Sequence, residues 1–302
     1  MATILMCKDV PVINIDTKEV YNSNLLPGAV SRGMYVRDWL KLRYSSNTNT
    51  LARNMIGLTF GHVRRSTVDA NTRALSLSDC YWIKDENDPA MFAEASPYFA
   101  PLWDGLREYV EGQSAPTLYV GGYMNKRWIN RYWLYKSEEA AVKEQECSEF
   151  CRRLGVKCAD VLAIGHGAYV KNITTPEVML EQYDMSGMVD PDGFTVEDVL
   201  RDFGWEGLEM VLIDALLGNG DRHAANIAFL RDANTGAYLG RSPLYDFDHA
   251  YDTTRKADAL TSEAADVAHE MRDQAIQLLE AAIPIAPKPW VAERAQTILD
   301  KL

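Results

Sequence analysis

GNGDRHAANI, residues 218–227, decides how this chain is read. It brings Asp221, Arg222, His223 and Asn226 together directly after the apolar run EMVLIDALLG. Two readings compete. In one, the polar residues begin an ordinary helix after a glycine turn. In the other, they form a loop that grips metal and phosphate from a rigid support. The next segment favours the second. IAFLRDANTGAYLG reads as a hairpin turning at Asn234-Thr235-Gly236, and PLYDFDHAYD follows it. A hairpin returns its chain to where it started, so Asp246 is expected back beside Asn226.

One carboxylate and one amide oxygen held at strand ends form a partial shell suited to Mg²⁺. That ion prefers oxygen ligands and completes its octahedron with waters and substrate phosphates. Asp221, outside that shell, is then placed to accept a proton from an attacking hydroxyl. Arg222 reads either as a balance to local acids or as a phosphate contact, and His223 as a structural histidine or an aid to proton movement.

Working backward, PTLYVGGYMNKRWINRYWLYKS (116–137) reads as strand, glycine turn (Gly121-Gly122) and strand, with Lys136 near its end. SEEAAVKEQECSEFCRRLGV reads as a helix, acidic at its start, basic at Arg152-Arg153 and stopped by Gly155. VLAIGHGAYVKNI reads as a second hairpin. A glycine turn, a lysine, a helix and the Asp/Asn loop are the components of phosphoryl transfer. Toward the N-terminus, the alternation through Val20 predicts short strands ending at LLPGAV, and Tyr35, Val36, Trp39, Leu40 and Leu42 predict a helix within 31–57. Past Thr174 the composition turns helical: FTVEDVLRDFG, WEGLEMVLIDALLG, EAADVAHEMRDQAIQLLEAAI and WVAERAQTILDKL.

Across 302 residues the apolar and charged fractions, 47% and 25%, are those of a globular protein. A net charge of −12 argues against broad binding to nucleic acid or anionic membrane. The five cysteines form no CxxC pair and read as reduced thiols of a cytoplasmic protein rather than a zinc site. The start MATILMCKDVPV has no secretion-signal pattern, and no window approaches a membrane span.

The Asp221-to-Asn226 interval resembles the protein-kinase catalytic loop, HRDxxxxN, and Asp246-Phe247 stands where kinases carry DFG. The Asp-Arg-His order is that of lipid and atypical kinases. LLGNGDRHAANIAFL followed by SPLYDFD resembles the HipA-type serine/threonine kinases, which include bacterial toxin kinases. LSLSDCYWI and the N-terminal strands are similar to HipA-domain proteins of Gram-positive bacteria. The motif-level match covers about 115–250.

The resemblance implies Asp221 as catalytic base, Asn226 and Asp246 as magnesium ligands, and Gly121, Gly122 and Lys136 at the phosphates of ATP. It implies a glutamate pairing with Lys136, Glu144 first, with Glu138, Glu139, Glu146 and Glu149 as competitors. The chain departs from the kinase pattern in lacking GxGxxG and VAIK. Asp248 replaces the DFG glycine and is a candidate second metal ligand.

The expectation is an α+β, two-lobed kinase-like fold. A small β-rich lobe with an N-terminal extension spans 1–175, and a helical lobe spans 176–302. Adenine is expected near the 171–179 crossover, with ATP and Mg as cofactors and a protein serine or threonine as acceptor. An antitoxin-like protein is a further expected partner, with no direct nucleic acid and no membrane. A lipid or small-molecule kinase and a nucleotide-binding pseudokinase are the alternatives.

Overall fold

The computed structural model describes residues 2–43, 73–99, 125–137, 141–189 and 193–302. The chain begins with β1 (Thr3–Cys7) and β2 (Val10–Asn14). Two short helices follow, α1 (Gly28–Ser31) and α2 (Val36–Arg43). After β3 (Tyr81–Asp85) and α3 (Phe92–Ala95), three antiparallel strands are ordered β2-β1-β3. Both faces of β1 are covered: Ile4, Leu5, Met6 and Cys7 are all buried, in one cluster with Val12, Trp39, Leu40, Trp82, Phe92 and Tyr98. The LLPGAV segment, expected to end a strand, instead forms a 3-10 turn and α1, because Pro27 pre-sets a helix start. The helix expected within 31–57 begins at Val36, and its reach past 43 lies outside the described residues.

A second sheet has the order β4-β5-β7-β6, from β4 (Asn125–Asn130), β5 (Trp133–Ser137), β6 (Val161–Ile164) and β7 (Gly167–Lys171). Between β5 and β6 runs α4 (Ala141–Arg153), with Glu144, Cys147, Phe150 and Cys151 buried along one face. The spacing of those four residues by three and four is the helical period. The Gly121-Gly122 turn expected ahead of this sheet lies outside the described residues.

A strand not foreseen from sequence, β8 (Val178–Gln182), leads into the third sheet, ordered β10-β9-β8 with β9 (Ala228–Asp232) and β10 (Tyr238–Arg241). The remainder is helical: α5 (Val196–Phe203), α6 (Trp205–Leu217), α7 (Arg255–Ala268), α8 (Arg272–Ala282) and α9 (Pro289–Leu299). The helix predicted over 263–283 divides in two. A 3-10 turn at His269–Met271 interrupts it, and α7 starts earlier, where the Thr254 hydroxyl caps it. The helix α6 is apolar nearly all round. Leu208, Leu212, Ile213, Leu216 and Leu217 are buried among α4, α5 and α7–α9, so it forms the axis of the largest core. The architecture is α+β.

Candidate functional site

Every polar residue of the opening motif stands on the end of α6. Gly218 closes the helix at φ 65°, the left-handed conformation that glycine adopts without strain. A Cβ at this position would also stand 2.6 Å from Arg294 Nη1. Within the last turn of α6, Asp214 is buried and grips Arg222 through two bonds. Nε donates to Oδ2 at 2.8 Å and Nη2 to Oδ1 at 2.9 Å. Asn219 Nδ2 donates to the same carboxylate at 2.8 Å. Burial works against the Arg222 charge, but Asp214 overcomes it and holds the guanidinium above its usual range.

Arg222 then joins the two arms of the site. Its Nη1 donates to the Tyr245 carbonyl at 2.6 Å and the Asn226 carbonyl at 3.3 Å. The Tyr245 hydroxyl donates back to the Ala225 carbonyl at 3.1 Å. These bonds place residues 225–226 beside 245–246. Arg222 is thus a buried scaffold cation, which settles the choice between acid balance and phosphate contact in favour of the former. Its guanidinium lies 5.1 Å from the Phe247 ring centroid.

At the end of β5, Lys136 is 3% exposed. Its Nζ donates to Glu144 Oε1 at 2.6 Å and to Asp246 Oδ1 at 2.5 Å. Desolvation opposes its charge, but the Asp246 and Glu144 carboxylates more than offset this and raise its pKa. Among the glutamates considered, Glu146 pairs with Lys288 and Glu149 accepts from Gln145, while Glu138 and Glu139 lie outside the described residues. Glu144 Oε1 also accepts from Phe247 N at 3.2 Å, tying α4 to the segment after β10. Lys143 Nζ donates to the Asp248 carbonyl. Asp246 has φ 64°, a conformation uncommon for a residue with a side chain and concentrated at functional sites.

Asp221 is placed differently. Its side chain is 49% exposed, and Oδ2 lies 3.8 Å from His249 Nε2. His249 went unremarked in the sequence reading, as did Asp184. Burial raises the Asp184 pKa, a backbone bond and nearby His223 oppose the rise, and its Oδ1 is buried without a hydrogen-bond partner. The crossover expected to border adenine is stitched to the N-terminal sheet domain at Thr174, whose Oγ1 donates to the Leu77 carbonyl at 2.5 Å. Contact with the loop begins later, where Gln182 Nε2 donates to the Ala225 carbonyl at 2.9 Å.

Two carboxylate oxygens near the site lack a hydrogen-bond partner. Glu144 Oε2 is buried without a partner beside the lysine, and Asp184 Oδ1 is buried beside the loop. Asn226 and Asp246 stand on these adjoining segments, and an amide oxygen and a carboxylate are ligand types that suit Mg²⁺ rather than a thiolate- or imidazole-binding metal. No group of three His, Cys, Asp or Glu residues able to hold a metal occurs among the described residues. All five cysteines are free. No helix among the described residues is long and apolar enough to cross a membrane.

No family model and no curated protein matches the sequence. Among solved structures, the chain is similar to HipA of Shewanella oneidensis MR-1, seen in complex with HipB and operator DNA. The TM-score is 0.55 at 12% identity, over 99% of this chain and 96% of that one. It also matches the Helicobacter pylori proinflammatory kinase CtkA at TM-score 0.33 and 18% identity, over 56% of this chain and 86% of that one. The HipA comparison shows a shared fold across the whole chain.

Proposed function

Starting from that HipA-like fold, we propose that the protein is an ATP- and Mg²⁺-dependent kinase that phosphorylates serine or threonine of a protein substrate. The observation that carries this reading is Lys136, buried and clamped between Glu144 of α4 and Asp246. A lysine ammonium has three donors. The two carboxylates take one each and aim the group, leaving a donor direction for phosphate oxygens. Residues 1–175 would form the nucleotide-binding lobe with its extension, and residues 176–302 the catalytic lobe.

Asn226 and Asp246 would hold the metal, with Asp248 as a further candidate, and bound Mg²⁺ would neutralise phosphate charge. Lys136 holds the phosphates, and the Gly121-Gly122 turn is proposed to cover them. Asp184 offers an acceptor for sugar hydroxyls on the wall built by 182–184. Asp221 takes the proton from the acceptor hydroxyl. Because the transferred phosphoryl group passes through a loose transition state, rigid placement and charge do most of the work. The Asp214–Arg222 scaffold supplies that rigidity. The half-exposed Asp221 leaves room for an acceptor carried on a macromolecule, which favours a protein over a small enclosed substrate.

The fold shared with a HipA seen bound to HipB supports an antitoxin-like protein as a second partner, and free thiols support a cytoplasmic setting. The test is γ-labelled ATP with host lysate, comparing wild type with Asp221→Ala. Wild type labels protein serine or threonine. The variant loses at least about 100-fold in rate while nucleotide affinity stays within about threefold, about half the free energy of a tenfold change. Normal turnover by the variant would refute Asp221 as base. Nucleotide binding without transfer by wild type would indicate a pseudokinase instead.

A further inference from the structure

Four successive residues at the end of β8 make contacts in four directions. The Glu181 carboxylate accepts from Gly28 N at 2.5 Å, Tyr238 Oη at 3.1 Å and Arg231 Nη1 at 3.2 Å. Gln182 holds the Ala225 carbonyl, next to Asn226. The Tyr183 hydroxyl donates to Asp202 at 2.6 Å, and its amide donates to the Ile227 carbonyl at 2.9 Å. Asp184 lies by His223. Glu181 and Gln182 end β8, and Tyr183 and Asp184 begin the 3-10 turn Tyr183–Met185, so one short stretch of backbone joins these four contacts.

The Glu181 end of this strand is where the N-terminal domain docks. Arg231, 4% exposed, donates to the Leu26 carbonyl at 3.0 Å and the Asn24 carbonyl at 3.1 Å. Arg32 Nη1 donates to the Ser186 carbonyl at 3.1 Å. Gly28 allows the approach: a Cβ there would stand 2.7 Å from Glu181 Oε1 and 2.9 Å from the Ser186 carbonyl. Burial raises the Glu181 pKa, and Arg231, Gly28 and Tyr238 act against the rise. A buried carboxylate with donors from three separate segments is sensitive to the loss of any one of them.

We infer that Glu181 is a positioning residue which, with Arg231, couples the seating of residues 22–32 to the set of the catalytic loop at 223–227, and through it to nucleotide affinity. The nucleotide part rests on the kinase reading, but the structural coupling does not. Glu181→Gln keeps the shape and presents an amide donor where Arg231 and Tyr238 also donate. Tyr238→Phe, at a position 44% exposed, removes a single hydroxyl and leaves the fold intact.

The experiment uses the full chain and reads amide hydrogen exchange at 223–227 together with steady-state kinetics in MgATP. In Glu181→Gln, the Asn226 and Ile227 amides exchange about tenfold faster and KM for MgATP rises about tenfold, the worth of one charge-assisted hydrogen bond. The kcat stays within about twofold, since the Asp214–Arg222 support of Asp221 does not pass through Glu181. Tyr238→Phe shifts both readouts the same way by about two- to threefold, as for one neutral bond, and carries the test should Glu181→Gln fail to fold. Unchanged exchange at 223–227 in the folded variants, or a loss of kcat with KM unmoved, overturns the inference. Faster exchange in a protein whose wild type neither binds nor turns over nucleotide leaves the coupling standing and removes the kinase reading.

Discussion

Replacing Lys136 by Met removes the only cation that meets both Glu144 Oε1 and Asp246 Oδ1 in the structure described. The side chains of Lys136, Glu144 and Asp246 are 4%, 1% and 12% exposed, so neither carboxylate regains full hydration. Breaking a buried pair from one side destabilises by about 3–5 kcal/mol. The lower end applies, because Asp246 keeps some access to water. For 302 residues unfolding together, the entropy of unfolding is about 0.6 kcal/mol per kelvin, so a loss of about 3 kcal/mol lowers Tm by about 5 °C. The companion variant Lys136→Met/Glu144→Gln removes the stranded charge as well and should recover at least half of that drop. Neither variant should bind nucleotide better than about tenfold weaker than wild type, having lost a charged contact. Calorimetry of the three proteins, paired with nucleotide titrations, makes the comparison. A single variant melting within about 1 °C of wild type, a loss of no more than about 0.6 kcal/mol, would refute the buried triad. The raised Lys136 pKa also fixes a sign. Its contribution is complete below the ordinary lysine value of 10.5 and is lost only as pH rises through the higher folded value, so this group adds no pH dependence between 6 and 9.

Asp246→Ala should abolish the Mg²⁺ dependence of nucleotide binding, read by titration with and without the ion; persistence of that dependence would exclude Asp246 as a ligand. For the thiols, a hydrogen bond from Cys151 lowers the Cys158 pKa, whereas burial pushes Cys7 and Cys147 up to about 12. Cys158 should therefore alkylate first, with onset below the pH of an ordinary cysteine; earlier modification of Cys7 or Cys147 in a peptide map would contradict this.

What was legible in the sequence was local or fixed by short-range geometry. The hairpin turn at Asn234-Thr235-Gly236 predicts that residues 226 and 246 approach, because antiparallel pairing follows from turn chemistry. The kinase resemblance implied a glutamate partner for Lys136, with Glu144 first among five, and the placement of α4 selects Glu144. The Arg222 contacts were out of reach for a different reason. Asp214 lies in an apolar helix whose pattern says only that it is buried, and nothing local names its partner eight residues on. The strand β8 escaped notice because VMLEQ pairs with a segment about fifty residues later, and β-propensity is a weak guide without the neighbour. The break at His269–Met271 was hidden by alanine-rich helical periodicity on both sides.

The arrangement also explains why the polar motif follows the most apolar helix in the chain. On the kinase reading the loop presents Asp221 and Asn226 and needs a support that does not move, and α6, the axis of the largest core, is that support. Apolar packing alone has no direction, so it cannot fix the loop's orientation. The buried Asp214–Arg222 pair supplies the direction, since a guanidinium fork accepts a narrow range of geometries. Such a pair adds little net stability because of its desolvation. Its effect is to convert the rigidity of the core into the placement of two carbonyls, at Asn226 and Tyr245. Glu181–Arg231 is a second buried pair; it bonds the N-terminal extension, and Gln182, the residue after Glu181, bonds the Ala225 carbonyl of the loop. The loop is thus tied to the helical core through Asp214–Arg222 and to the strand that carries Glu181 through Gln182.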